Sequence, residues 1–528
     1  MNSFLPNDLH FALHAVDESR EAASRLAEFR RLRARGALCT EVTDQLATGA
    51  AGAFLEHFTK RGEYLRDAIT LLAEIATLEE PCLAEPGQRA TFPLLVEHLS
   101  DSFDPQYCPL YDRAFAQMIS ICRQLPAAAK LDAALRGFNL RNESDLLERK
   151  ARLRRRTPML EARERQRVRK VIVLSRVTLG AEVAITSIVL QKAKTSFPQA
   201  EVVLLGSPKL RQLFGGDSVI RLREIRYRTD GGLLDRINSW FPVLDAMADE
   251  TRNLHPEQYV VIDPDSRLLQ LGLLPVLQDE SRYFFLESRG FGEPGQGNMS
   301  EITLGWLNQL FGGDDKILPA ISLRDADKML ARSLCRKLRE GGSRFLVAAS
   351  FGVGGNDLKR LPDPFEEDLL LRLIEDGSTV LLDKGFGEEE LNRANRLVAV
   401  ARKNGGTVIE LDMQNADELI EAPLDHCQML TWQGEIGGFG ALVGESDEYI
   451  GYDSAGQHVA AALEILTIDI FTETASPVFR ERWRPAGQHV KVVVGEAPRD
   501  GKAMNLDAVL LEIMDHHRAA RAKSRNQH

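Results

Sequence analysis

No run of about 18 consecutive apolar residues occurs in this 528-residue chain, so the sequence offers no membrane-spanning helix. The first residues, MNSFLPNDLHFALHAVDESR, lack the basic n-region and unbroken apolar h-region of a secretory signal. Cysteine is scarce and scattered. Cys39, Cys82, Cys108, Cys122, Cys335 and Cys427 form no CxxC pair and no Cys/His cluster at metal-ligand spacing, which argues against a zinc site. These absences point to a cytoplasmic protein with reduced thiols. Lys and Arg (66) are outnumbered by Asp and Glu (77), so general affinity for nucleic acid is not expected. No GxGxxG fingerprint and no GxxxxGK[ST] loop appears, which leaves a dinucleotide-binding Rossmann site and a P-loop unsupported.

What is present organises the chain into segments. Residues 1–148 carry apolar positions at helical spacing, as in FLEHFTKRGEYLRDAITLLAEIATLEE, and predict an α-helical accessory domain with its own core. Residues 149–170 form a basic linker or helix. From Val171 short apolar runs alternate with helical stretches: VIVLS (171–175), EVVLLG (201–206), YVVID (259–263) and YFFLE (283–287). That pattern predicts a parallel sheet with covered faces over 171–320. A connecting helix spans 321–342. The pattern restarts over 343–500 with FLVAAS (345–350), TVLLDKG (379–385), TVIELD (407–412), EYIGYD (448–453) and TIDIF (467–471). Residues 501–528 form a C-terminal helix and polar tail. The expected fold is α/β: two Rossmann-like domains facing across a cleft, preceded by an α-helical N-terminal domain. Ligands of such folds bind at the carboxyl ends of the strands.

Three strand-end segments carry candidate chemistry. In GYDSAGQHVAAALEILTIDIF (451–471) a strand ends at Asp453, small residues Ser454, Ala455 and Gly456 follow, and a helix begins near Gln457. Unpaired N–H groups at such a helix start favour an anion, and small side chains let phosphate oxygens reach the backbone. An Asx-type N-cap is the plainer alternative. In SFGVGGNDLKRLPDPFEEDLLLRLIEDG (350–377) a glycine loop with Gly354 and Gly355 precedes Lys359-Arg360, a combination suited to a diphosphate or to an ordinary surface turn. In VIVLSRVTLGAEVAITSIVLQKAKTSFPQAEVVLLGS (171–207) the first strand leads to Gly180, Ala181 and Glu182, with a helix from about Ala184. Glu182 either caps that helix or points into the cleft as a general base.

In this order and spacing, the three segments resemble the ADP-heptose:lipopolysaccharide heptosyltransferase-like family, glycosyltransferase family 9, over about residues 170–495. The family's loop G-D-x-x-L-T-T-P followed by F-P-x-A is similar to GAEVAITSIVLQKAKTSFPQAEV through Ile185, Thr186, Ser187, Phe197 and Pro198. Its D-S/T-G-x-x-H-x-A-A-A-L-G-x-P motif is met by Asp453, Ser454, Ala455, Gly456, His458, Ala460, Ala461, Ala462 and Leu463. Its strand, Gly/Ser turn and K-R-W resemble Ser350 to Leu361. The family's catalytic Asp falls on Glu182 and the glycine before it on Ala181. The motif glycine falls on Ala455, and Glu464 and Leu466 stand for the later Gly and Pro.

The resemblance implies a GT-B architecture and metal-independent inverting transfer of a sugar from a nucleotide-diphosphate sugar to a glycan, lipid-linked or protein acceptor. The nucleotide sugar is a co-substrate, and no cofactor or metal is implied. Glu182 takes the role of base. Lys359, Arg360, Gly354, Gly355, Asp453, Ser454, Ala455, Gly456, His458 and Glu435 take the donor side. A nucleotide-sugar epimerase of the same fold and a catalytically inactive nucleotide-sugar or glycan binder stay open as alternatives.

Asp263-Pro264-Asp265 has the DxD spelling of metal-bound sugar nucleotides but ends a first-domain strand without a third ligand; with Ser266 and Arg267 it is assigned to the acceptor side. TWQGEIGGFGALVG (431–444) resembles the family's loop before the Asp453 strand, which places Gly434 and Glu435 near the nucleotide. The basic run of 149–170 reads as a solvated helix face or linker, or else as contact with an anionic membrane surface at the inner face of the membrane.

Overall fold

Strands form where β-branched and aliphatic residues run together and helices where apolar residues recur every three or four positions, and the chain follows both rules. The computed structural model describes residues 8–155, 159–227, 231–291, 295–354, 356–412, 424–472, 476–495 and 504–525. It divides into two units, the first made of 1–157, 225–256 and 265–291 and the second of 158–224, 257–264 and 292–528.

The first unit is largely helical, with helices Thr40–Arg61, Arg66–Ala76, Tyr107–Cys122 and Glu143–Arg155 among them. Phe29, Phe54, Leu72, Phe115 and Met118 lie in its core, and Trp240 is wholly buried, its indole N–H donating to the Pro275 carbonyl at 2.7 Å. This division differs from the expected one, because residues 225–256 and 265–291 cluster with the N-terminal helices and not with the rest of 171–320.

The basic run is also corrected in part. Arg149 and Lys150 are 2% exposed. Arg149 Nε donates to Glu280 Oε1 at 2.7 Å and a terminal nitrogen donates to the Gly272 carbonyl at 2.7 Å. Lys150 pairs with Asp112 and, at 3.3 Å, with Glu287, and Arg154 pairs with the same two acids. These three basic residues are not a solvated face or linker. Their neutralising carboxylates lie far off in sequence, where charge counting along the chain cannot see them. Arg152, Arg155, Arg163, Arg167 and Arg169 remain exposed.

The second unit holds two parallel sheets. In the first, β1 (Lys170–Leu174), β2 (Glu201–Gly206), β3 (Ile220–Glu224) and β4 (Tyr259–Asp263) lie in the order β3-β2-β1-β4, with Lys170 paired to both Glu201 and Tyr259. A further strand, β5 (Tyr283–Phe285), falls in the first unit. The second sheet comprises β6 (Leu346–Ser350), β7 (Thr379–Asp383), β8 (Val408–Asp412), β9 (Met429–Gln433), β10 (Glu448–Tyr452), β11 (Leu466–Thr472) and β12 (Val490–Gly495). Its order is β12-β11-β10-β6-β7-β9-β8. Alternate residues serve its two cores: Val347, Ala349, Ile450 and Ile468 pack on one face, Leu346, Ala348, Leu381 and Tyr449 on the other.

The strands expected from apolar runs are present, within a residue or two at their ends. β3, β9 and β12 were not expected. IRLRE and VKVVVG mix charge into the strand, and MLTWQ was read as loop before the Asp453 strand, whereas it is a strand followed by the helix Ile436–Gly444. The helix after β1 begins at Leu179 and not near Ala184, so Glu182 stands inside its first turns.

Candidate functional site

Each sheet reverses its direction of growth once, and ligands of open α/β sheets bind in the crevice at that reversal. In the first sheet it lies between β1 and β4, in the second between β6 and β10. The segments singled out from the sequence leave these strands.

After β1 the chain turns through Ser175, Arg176 and Val177. Val177 has φ +76, a costly conformation for a β-branched residue. Glu182 holds the turn: its Oε1 accepts from the Ser175 hydroxyl and, at 2.6 Å, from the Val177 N–H. Oε2 makes no hydrogen bond of good geometry among the described residues, though the Thr186 hydroxyl is close enough to lower the carboxyl somewhat. The side chain is 1% exposed, and burial raises its carboxyl above the ordinary glutamate range, the Ser175 and Val177 hydrogen bonds offsetting part of the effect. Arg176, which the sequence reading passed over, is buried and donates to the Pro264 carbonyl at 3.0 Å, so it bridges the loops after β1 and β4.

At the second reversal Lys359 Nζ stands 2.7 Å from Asp453 Oδ2, and Gln457 Nε2 donates to Asp453 Oδ1 at 2.8 Å. The helix Ala455–Ala462 starts directly after Ser454. His458 is buried, and desolvation lowers its imidazole to about 4 against the smaller raising effect of Asp453, so the ring is neutral at pH 7. Its ring lies edge-on to Trp483, centroids 6.1 Å apart.

Two acids beneath this edge were not selected from the sequence. In the sheet register Asp469 pairs with Gly451, Gly451 with Ser350, and Ser350 with Asp383, so the four stand in one row across β11, β10, β6 and β7. Asp469 is fully buried with neither oxygen hydrogen-bonded among the described residues; burial, then the Asp453 charge, pushes its carboxyl well above the aspartate range. Asp383 accepts from the Ser350 hydroxyl at 3.1 Å and from Gly385 N–H at 3.1 Å, and desolvation raises it to about 6. The signal was an acid inside or just ending an otherwise apolar run, as in TIDIF and TVLLD.

The two reversals meet. A Cβ placed on Gly180 would lie 3.2 Å from His458 Cδ2 and 3.6 Å from Ala455 Cα, so the turn bearing Glu182 rests on the start of the Asp453 helix. A side chain there would press on the His458 ring, which would have to yield by a few tenths of an ångström. The structure therefore brings together Glu182's helix, Lys359, Asp453, Ser454, Ala455, Gly456 and His458.

Other expected residues stand elsewhere. The Gly354 N–H, with that of Val353, donates to Glu390 Oε1 at 3.0 and 2.9 Å, so these amides hold an internal carboxylate and not an open anion cradle. Gly355 lies outside the described residues. Arg360 pairs with Glu366 at 2.8 Å and with Asp363 at 3.2 Å. Glu435 is exposed and pairs with Arg324 at 2.9 Å. Asp263 ends β4 in the second unit, whereas Asp265 and Arg267 fall in the first, where Asp265 accepts from Ser288 at 2.7 Å and Arg267 is exposed. Among the described residues no group of three or more His, Cys, Asp or Glu is arranged to hold a metal ion, and no helix is long and apolar enough to cross a membrane.

Fold and site together define an α/β protein with two parallel sheets whose reversal points are in contact. No protein-family model and no curated protein matches its sequence. Among solved structures it is similar to the glycosyl transferase family 9 protein from Veillonella parvula DSM 2008, with 14% identity and a TM-score of 0.48, covering 67% of this chain and 97% of that one. It is similar also to E. coli ADP-heptose lps heptosyltransferase II, with 13% identity, a TM-score of 0.47 and coverage of 67% and 99%. A third is E. coli heptosyltransferase WaaC with ADP, with 14% identity, a TM-score of 0.44 and coverage of 66% and 99%.

Proposed function

We propose that the chain is a glycosyltransferase, moving a sugar from a nucleotide-diphosphate sugar to a glycan, lipid-linked or protein acceptor by direct inverting displacement. The observation that carries this reading is the approach of Gly180 to Ala455 and His458, which sets the helix start bearing Glu182 beside the turn bearing Asp453 and Lys359. A base and a diphosphate site on opposite sides of one anomeric carbon are what such a displacement requires.

In this mechanism the acceptor hydroxyl attacks the anomeric carbon and gives its proton to Glu182 Oε2, the oxygen not already engaged by the turn. The carbon–oxygen bond to the β-phosphate breaks, and its electron pair leaves with the nucleoside diphosphate. Lys359 exchanges Asp453 for the phosphate, and N–H groups at the start of Ala455–Ala462 share the developing charge. His458, neutral, contributes a ring N–H and no charge. Asp263 and Arg176, at the ends of β4 and β1, take the acceptor side of the first sheet. Fixed charge takes the place of a divalent cation, so turnover with a nucleotide-sugar panel persists in EDTA. Loss in EDTA with recovery in magnesium or manganese overturns the mechanism and directs attention to Asp263.

The complete burial of Glu182 inside its own turn favours a second reading, a catalytically inactive binder of nucleotide sugars. Acceptor-dependent release of nucleoside diphosphate decides between the two.

A further inference from the structure

Phe386 is 88% exposed, the most exposed large apolar side chain among the described residues. It sits in the turn after β7 between Gly385 (φ +74) and Gly387 (φ +100), both in the left-handed region that glycine adopts without strain. The turn is nevertheless held. The Phe386 N–H donates to Glu390 Oε2 at 2.8 Å, and Glu390 Oε1 takes the N–H groups of Val353 and Gly354 in the turn after β6. One carboxylate thus ties the tip carrying Phe386 to the loop that leads to Lys359. Lys209, from the segment after β2, places its ammonium 5.3 Å from the Phe386 ring centroid, within cation–π reach. A displayed ring on a pinned tip, with a cation over it, has the makings of a binding platform.

Its position selects the ligand. β7 is the strand next to β6, on the side away from β10, about 5 Å along the same carboxyl edge. With a diphosphate at Lys359 and the start of Ala455–Ala462, the sugar must point to Gly180 and Glu182, which rest on that helix. A nucleoside that extends the other way, past β6, reaches the end of β7.

We propose that Phe386, steadied by Glu390 and Lys209, is the platform on which the nucleobase of the donor stacks. The inference rests on the donor-site reading above and adds a base subsite to it. Stacking is tolerant of base identity, because every base presents a π-face, and base–aromatic stacking in other proteins carries a large share of nucleotide affinity. Lys209 stands over one face of the ring, and the base takes the other.

The test is calorimetric titration of the full-length protein with ADP, UDP and inorganic pyrophosphate, for the wild type, Phe386→Ala and Phe386→Trp. The expected result is about a tenfold loss of affinity for both nucleotides in Phe386→Ala, unchanged pyrophosphate binding, and near wild-type nucleotide binding in Phe386→Trp. Unchanged nucleotide affinity in Phe386→Ala overturns the proposal, as does an equal loss for pyrophosphate, which means that the turn and not the stack was damaged. If the wild-type protein binds neither nucleotide nor pyrophosphate, the donor-site reading itself fails, and that outcome is distinct from the other two.

Discussion

Lys359 and Asp453 form an ion pair at 2.7 Å between the loop after β6 and the end of β10, across the point where the second sheet reverses direction. The ammonium is therefore pre-placed at the diphosphate position, with a carboxylate standing where phosphate oxygens are proposed to bind. Removing it in Lys359→Ala leaves Asp453, whose charge acts on the buried Asp469, without its paired ammonium. Turnover should fall by about 10²-fold, the usual effect of deleting one preorganised donor to a leaving oxyanion. Steady-state kinetics with a saturating donor checks this, and a loss of less than about threefold would remove Lys359 from the machinery.

Glu182→Gln should abolish most transfer while nucleoside-diphosphate affinity stays constant, since the carboxylate acts on the acceptor. Glutamine keeps an acceptor for the Val177 N–H, so the strained turn should persist. Because burial raises the Glu182 carboxyl, the basic form accumulates with rising pH, and the wild-type rate should climb through a limb shifted above the ordinary glutamate range. A pH–rate profile lacking that limb, or full activity in the glutamine variant, counts against the role.

His458 has its pKa lowered to about 4 in the folded protein. Between the unperturbed histidine range near 6.5 and that value, the unfolded chain binds a proton that the folded ring refuses. Stability should thus be intact above about pH 6.5 and decline as pH falls toward 4. Urea titrations across that window should show a shallower decline in His458→Asn. Observation of the imidazole titrating near pH 6.5 by NMR would contradict the assignment.

The buried charges of the first unit give a stability prediction independent of function. Lys150→Met leaves Asp112, 2% exposed, with Arg154 alone to neutralise it and Glu287, and should cost about 3–5 kcal/mol. Replacing the whole set of Asp112, Lys150, Arg154 and Glu287 by apolar residues of similar volume should cost far less, because no stranded charge remains. Chemical denaturation of the two variants measures the contrast.

Much of the second unit was legible because it is written in local pattern. Runs such as VVLLG and YVVID, alternating with helical stretches, read as covered strands, and Asp453 to Ala462 reads as strand end, turn and helix, with the helix starting at Ala455, two residues before the expected Gln457. What was illegible depends on partners distant in sequence. Arg360 follows Lys359 in the sequence, and only the fold shows that Glu366 is its partner. Gly354 looked like an anion cradle, and Glu390 fills it from 36 residues away. Arg149 and Lys150 looked solvated until acids at positions 112, 280 and 287 arrived. Periodicity reports which side of an element is buried, and it is silent on which charge meets which.

The first unit is stitched from three separate stretches of chain, 1–157, 225–256 and 265–291. Such an arrangement is not a module joined at one seam, so no single cut in the backbone separates the two units, and the first is synthesised incomplete until residue 291 has emerged. Removing residues 1–148 would not free a self-contained second unit. It would strand two inserted loops, with Trp240, Leu269 and Phe285 among their buried side chains, without the helices that cover them.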